Sequence, residues 1–285
     1  MKIADLFKKR MTISLEVFPP KNDVPMDGIL ETLTQLNKFN PDYISCTCGA
    51  GGSNKGRQLE VCEAVQKNGN VIMPHFTCIG NSRADVNKSL NEIAGMGITN
   101  ILAIRGDLPA QWEGTRGDFS HADDLINFIK TGFPQMCVSA AAYPEKHIDA
   151  PSFDADISHL RSKQDKGAEF IMTQLCHNVP AYEEFIKRIR RAGITIPVVA
   201  GIMPVLAREP IIRMTLFNGC SIPAELAAIL GKYQDNPEDF SKAGIEYTVA
   251  QIHRYIAIGV DGLHLYSLNK WKKLPQILQA AGIGN

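Results

Sequence analysis

Glu16 is the first side chain placed for acid–base work, because it sets a carboxylate into a run that otherwise alternates as a buried strand. In Ser14-Leu15-Glu16-Val17-Phe18-Pro19-Pro20-Lys21 and the residue before it, Ile13, Leu15 and Val17 share one face; Ser14, Glu16 and Phe18 share the other. The two prolines stop both strand and helix, so Glu16 stands near the strand's end. A carboxylate there must be paired, exposed in a cleft, or held with a shifted pKa. Other apolar runs end in the same way, with Thr47, His75 and Thr77, Arg105-Gly106-Asp107, Tyr143, Gln174 and Tyr266. Each has a plain structural reading when taken alone. His75 fits a satisfied core histidine, Arg105 and Asp107 an ion pair over a rim, and Gln174 a hydrogen bond to loop backbone. Together they read as one polar mouth.

The chemistry of that mouth is narrowed by what accompanies it. No Ser or Cys stands in a nucleophile elbow, and Lys55 and Lys163 lie outside the strands where a Schiff-base lysine is expected. Cys46 and Cys48, with His75 farther on, match no standard zinc spacing, so no metal site is expected. Carboxylates, an amide, Tyr and His beside the loop Gly49-Ala50-Gly51-Gly52-Ser53-Asn54 suit a bound cofactor that supplies the chemistry itself.

The elements that must position these groups recur along the chain. Strands are expected at Thr12–Phe18, Tyr43–Thr47, Val71–Cys78, Ile101–Arg105, Met136–Ala142, Phe170–Gln174, Pro197–Met203 and Gly262–Ser267. Between them the spacing turns helical: Ile29, Leu33 and Leu36 share a face, as do Val86, Leu90 and Ile93, and Val249, Ile252 and Ile256. Gly97, Gly167, Gly193 and Gly259 each close a helix just before a strand. Eight consecutive strand–helix units without a linker define an α/β chain forming a single (β/α)8 TIM barrel over residues 1–285. A doubly wound dinucleotide fold is the competing reading. It rests on the 49–54 loop, but Asn54 stands where the third fingerprint glycine belongs, so the loop is expected to line the barrel mouth. The longer connection from Pro204 to Lys242 is expected to carry short helices near Ile211–Phe217 and Ala224–Leu230, over the active face.

Bulk properties set outer limits. Thirty basic and thirty acidic residues cancel, which argues against nucleic acid and for small-molecule or protein partners. No apolar run approaches a membrane span, and residues 1–10 have no signal-peptide core. Seven cysteines without a Cys-x-x-Cys pair fit reduced thiols in a cytoplasmic protein.

Read together, the motifs resemble those of the methylenetetrahydrofolate reductases, FAD-dependent enzymes of one-carbon metabolism. The resemblance is carried, in the family's order, by Glu16-Val17-Phe18-Pro19-Pro20, Pro74-His75-Phe76-Thr77-Cys78, Arg105-Gly106-Asp107, Ala142-Tyr143-Pro144-Glu145-Lys146-His147, Thr173-Gln174 and Leu263–Asn269. It implies a barrel that binds FAD at the C-terminal ends of its strands and passes electrons from NAD(P)H to methylenetetrahydrofolate, giving methyltetrahydrofolate. By this resemblance Glu16 matches the acid that protonates the folate nitrogen, which would require a proton held near neutral pH. Asp107 matches the aspartate near flavin and pterin, which should stay ionised to stabilise the iminium cation. Gln174 matches the glutamine that orients substrate. Thr47, His75, Arg105, Gly106, Asp107, Tyr143, His147, Asp156, His159 and Lys163 fall on FAD-contacting positions. The last three are spaced to share a helix face, with Lys163 able to reach a phosphate. Met214, Tyr266 and Lys270 complete the substrate-binding set.

The chain departs from the family pattern at three positions. His159 stands for an asparagine and Lys270 for an arginine that would fork onto the folate glutamate tail. Met214 stands for a phenylalanine that packs on nicotinamide or folate, with Phe217 close by in sequence. The Met214 exchange motivates an alternative: a flavin-bearing subunit of a larger reductase, fed by an electron-delivering partner protein. A homo-oligomer or hetero-complex is expected in either case, and adenosylmethionine control is not. A cofactor-free barrel lyase or a noncatalytic folate-binding protein is the reading from another class.

Overall fold

The computed structural model describes residues 1–48, 55–108 and 111–283. Eight parallel strands close into a barrel in sequence order: β1 (Thr12–Val17), β2 (Tyr43–Cys46), β3 (Ile72–Thr77), β4 (Asn100–Ile104), β5 (Cys137–Ala142), β6 (Phe170–Leu175), β7 (Val198–Ile202) and β8 (Gly262–Tyr266). Each strand lies within a residue or two of its expected range, because period-two burial leaves little freedom in where a strand can run. The loop at 49–54, expected at the mouth, lies outside the described residues.

Alternation sorts the strand side chains into two sets. Leu15, Val17, Ile44, Ile101 and Val138 point outward into one large core shared with the surrounding helices. That shell is built by α1 (Asp27–Asn37), α2 (Lys55–Lys67), α3 (Arg83–Gly95), α4 (Ala122–Gly132), α5 (Phe153–Asp165) and α6 (Val179–Arg191). The expected faces hold in α1 and α3, where Ile29, Leu33, Leu36, Val86, Leu90 and Ile93 are all buried. The four helix-closing glycines all take the left-handed φ expected of that cap. The seven cysteines are free thiols.

The inward set is apolar at the bottom and polar at the top. Tyr43, Met73, Leu102, Cys137, Phe170, Met172 and Val199 fill the lower barrel, plugged by Ile3 from an N-terminal 3-10 turn. Above them the lumen turns polar, at Ser14, Ser45 and His264. The β7–β8 connection carries α7 (Arg208–Phe217) and α8 (Ala224–Lys232), as expected near 211–217 and 224–230, then α9 (Pro237–Ala257). These pack on the ends of β6 and β7 through a small core of Leu175, Met203, Val205, Ile211, Leu226 and Phe240. In α9 the expected face holds at Ile252, which is buried, and at Val249, which packs partly buried on the core, but Ile256 is exposed; Ile245, Thr248 and Tyr255 are buried beside Ile252. A last short helix, α10 (Leu274–Ala280), closes the shell.

Gly201 shows how tightly the upper barrel is built. A Cβ there would stand 2.4 Å from the Thr173 carbonyl oxygen and 2.7 Å from the Tyr266 hydroxyl, which itself donates to that carbonyl at 2.8 Å. Gly201→Ala is therefore expected to cost about 1–3 kcal/mol, as overpacking does. The check is a lower urea midpoint at unchanged slope.

Candidate active site

A cavity of about 780 Å³ opens at the C-terminal ends of the strands. Glu16 comes from the end of β1, just before Phe18-Pro19-Pro20 ends the strand. The Ser267 hydroxyl donates to the Glu16 carbonyl. Asn269 clamps Phe18, its Oδ1 accepting from the Phe18 amide (3.1 Å) and its Nδ2 donating to the Phe18 carbonyl (2.8 Å). Leu268 and Asn269 both take left-handed φ to make this turn. The Glu16 carboxylate lies 3.4 Å from His75 Nε2 and 3.6 Å from His264 Nε2. Burial pulls the His75 imidazole below its ordinary value, partly offset by the charge of Glu16. Gln58 of α2 holds the neighbouring strands by donating to the carbonyls of Cys46 (2.9 Å) and His75 (2.8 Å).

The opposite wall belongs to β4, β5 and α5. Arg105 Nη2 donates to Asp149 at 3.3 Å, so its ion pair is with Asp149 and not the Asp107 pair of the plain structural reading. Gly106 has φ +93°, and a Cβ on it would press to 2.7 Å from Ile79; only glycine makes this turn without strain. Asp107 follows on the exposed rim. Tyr143 and His147 meet edge-on with ring centroids 4.4 Å apart. Burial, then the charges of Asp107 and Asp156, push the Tyr143 hydroxyl up to about 12. Asp156 accepts the His147 amide at 2.8 Å. Asp156, His159 and Lys163 all face the cavity from α5, as their spacing requires. Lys163 Nζ donates to the Ala141 carbonyl at 2.8 Å, and burial pulls its pKa down. An ammonium there has further protons to offer.

The third wall ties the β7–β8 insertion to the site. A register shift between Met172 and Leu175 re-aims the end of β6. Gln174 Oε1 accepts the Leu175 amide (2.7 Å), which is the backbone bond its structural reading allows, while Nε2 donates to Asn218 Oδ1 (2.8 Å). Asn218 caps α7, and Met214 and Phe217 line the cavity from that helix one turn apart. Tyr266 completes this wall, and Thr47, at the end of β2, lines the cavity on the Glu16 side, its amide donating to the Val17 carbonyl. Lys270 alone of the expected residues is not on it. The Leu268–Asn269 turn carries it outward, where it is exposed beside a shallow depression.

Sequence reasoning missed His264, His121 and Asn218. His264 had a signal, since it falls in phase with Tyr266 along β8; His121 and Asn218 sit at helix ends and carry no periodic signal. Cys46 and Cys48 do not converge: Cys46 joins the outer core and Cys48 borders the cavity. Among the described residues, no group of three or more His, Cys, Asp or Glu could hold a metal ion, and no helix is long and apolar enough to cross a membrane.

A closed eight-stranded barrel with a polar mouth over an acid flanked by imidazoles defines a (β/α)8 protein whose cavity opens at its strand ends. The methylenetetrahydrofolate reductase family model matches residues 2–282, and the chain belongs to that family. It is 33% identical to methylenetetrahydrofolate reductase (NADH) 1 of Arabidopsis thaliana over 99% of this chain and 51% of that protein. It is 31% identical to methylenetetrahydrofolate reductase 1 of Schizosaccharomyces pombe, covering 49% of that protein, so the chain spans about half the length of these curated relatives. The 5,10-methylenetetrahydrofolate reductase of Pectobacterium carotovorum is 28% identical, with 96% of this chain and 91% of that one covered. Among solved structures, a Clostridium thermocellum protein that binds two copies of 5-methyl-5,6,7,8-tetrahydrofolic acid shares the fold. Its TM-score is 0.69 at 15% identity, covering 98% of this chain and 96% of that one.

Proposed function

We propose that this chain reduces methylenetetrahydrofolate to methyltetrahydrofolate, using FAD and electrons from NAD(P)H. The observation that carries the proposal is a cavity of about 780 Å³ with Glu16 on one wall and Arg105, His147 and Lys163 on the other. The residues present fit the cofactor. His75 Nε2 is buried and has no hydrogen-bond partner among the described residues, and Lys163 offers a partly freed ammonium suited to a phosphate. Thr47, His75, Arg105, Gly106, Asp107, Tyr143, His147, Asp156, His159 and Lys163 would hold it. When bound, FAD supplies the hydride-carrying chemistry that no side chain here provides.

The chain's own residues do the rest. Glu16 serves as the acid toward the folate nitrogen whose release opens the substrate ring. Asp107 places a negative charge where cationic character develops on the substrate. Gln174 and Tyr266 orient the substrate, with Gln174 fixed by Asn218. Lys270, exposed outside the cavity, would meet only a carboxylate tail that reaches solvent. The test is the visible spectrum of the purified protein, followed by anaerobic addition of NAD(P)H and then of methylenetetrahydrofolate. A flavin spectrum bleached by the first and restored by the second is expected. A colourless protein that cannot be reconstituted with FAD overturns the proposal and favours a cofactor-free barrel.

A second reading changes the electron source to a partner protein. Its support is an apolar rim: Ile148, Leu216 and Phe217 are 61%, 65% and 66% exposed, and Ile148 packs beside Gly219 at the end of α7. Met214→Phe separates the two readings. A stacked aromatic pair adds about 0.5–1.5 kcal/mol beyond burial, so direct use of NAD(P)H predicts roughly two- to tenfold faster flavin reduction in the variant. A wild-type chain that barely oxidises NAD(P)H, with no gain on substitution, selects delivery through a partner.

A further inference from the structure

The geometry points to Glu145 as a positioning residue for the substrate: it fastens the cavity end of α7, with Met214 and Phe217, to the loop that carries Tyr143 and His147. The inference rests on the reading above in which that wall meets folate. Ser221 lies in the chain that leaves α7. Its amide donates to Glu145 Oε2 at 3.1 Å and its hydroxyl donates to Glu145 Oε1, so one carboxyl group grips one residue twice. The two residues are 76 positions apart and belong to different strand–helix units.

The helix needs such a hold. Within α7 only Ile211 and Thr215 are buried, Leu216 and Phe217 are exposed, and no side chain caps its N-terminus. An element with few buried contacts opens at low free energy unless something else secures it. Polar ties secure this one. From the β6–α6 side, Gln174 Nε2 donates to Asn218 Oδ1 at 2.8 Å and Asn178 Nδ2 donates to Ser221 Oγ at 3.2 Å. Cys220 Sγ donates to the Leu175 carbonyl at 3.2 Å. Glu145 supplies the hydrogen bonds from the β5–α5 side, where Ile148 packs beside Gly219.

Which partner is the anchor follows from the remaining bonds. The β5–α5 loop is fixed without Ser221. The Lys146 amide donates to the Tyr143 carbonyl at 3.0 Å, with Lys146 itself in the left-handed region at φ +76°. The Lys146 ammonium donates to the carbonyls of His147 (2.9 Å) and Ala150 (2.5 Å), and the His147 amide donates to Asp156 (2.8 Å). Cutting the Glu145 tie therefore releases α7 and leaves the Tyr143–His147 wall in place. Met214 and Phe217 line the cavity from α7, and Asn218 holds Gln174. A looser α7 weakens substrate binding through lost preorganisation, while the cofactor wall is spared.

The first test is calorimetric titration of the FAD-loaded chain with methyltetrahydrofolate. Glu145→Ala is expected to weaken binding about tenfold, the worth of one hydrogen bond, and Ser221→Ala, which keeps the amide tie, about threefold. Glu145→Gln can still accept from the Ser221 amide and meet its hydroxyl, so it should stay within about twofold of wild type. FAD affinity should stay within about twofold in all three variants. The second test needs no ligand: alkylation by iodoacetamide, followed at Cys220 by mass spectrometry of the full chain. Cys220 is the one cysteine of the seven that is not buried, and burial, then the charge of Glu145, push its thiol up to about 12. Its alkylation is expected to quicken roughly tenfold in Glu145→Ala and less than about threefold in Glu145→Gln, which removes the charge but keeps the tie. Equal rates in those two variants, unchanged folate affinity in Glu145→Ala, or FAD and folate affinities that fall together overturn the inference. A wild-type chain that binds no folate refutes the proposed function instead, and the alkylation rates then still decide whether Glu145 fastens α7.

Discussion

Glu16→Gln is expected to slow methylenetetrahydrofolate reduction by about two to four orders of magnitude while the flavin remains bound and reducible by its donor. Proton donation is needed only in the folate half-reaction, so the two half-reactions should separate. Glutamine keeps the shape of the side chain and can still meet His75 and His264, which lie 3.4 and 3.6 Å from the carboxylate. The fold should therefore survive, with an unfolding midpoint close to wild type. Anaerobic rapid mixing at the flavin band, one half-reaction at a time, makes the measurement. Equal losses in both would make Glu16 a structural residue.

Asp107→Asn is expected to weaken folate binding about 10- to 100-fold, the scale of one charge-assisted hydrogen bond. It should also raise the flavin's reduction potential, because a negative charge near the ring system is lost. Asp107 follows the Gly106 turn, which leaves no room for a side chain. A cofactor-free readout exists as well. The charge of Asp107 helps to raise the Tyr143 hydroxyl, so its loss should let that hydroxyl titrate at lower pH. Normal folate affinity together with an unmoved potential would place Asp107 away from the chemistry.

The two expectations draw on different sources in the molecule. That Glu16, Thr47, His75, Gln174 and Tyr266 point into one lumen was legible from alternation alone, because side-chain direction along a strand has period two whatever the rest of the chain does. The helix-closing glycines were legible for the same reason: a local backbone requirement leaves a local mark. The co-facing of Asp156, His159 and Lys163 followed from helical spacing.

What periodicity cannot carry is which groups meet across the lumen. Ser14 and His264 are 250 residues apart, and they touch because β8 closes against β1 in one register. A shift in that register or in the stagger of the barrel would move His264 to another level, and nothing local in either strand forbids it. Arg105 pairs with Asp149 instead of Asp107, and Gln174 is held by Asn218, because loops from different βα units converge at the rim. Lys270 was expected with the substrate residues, yet the left-handed turn at Leu268–Asn269 sends it outward. By itself, then, the sequence determined the barrel, its mouth and the direction of each strand side chain, since these depend on local geometry and apolar burial. Tertiary structure alone decided the pairing of Glu16 with two imidazoles, because only closure of the sheet brings β1, β3 and β8 around one axis.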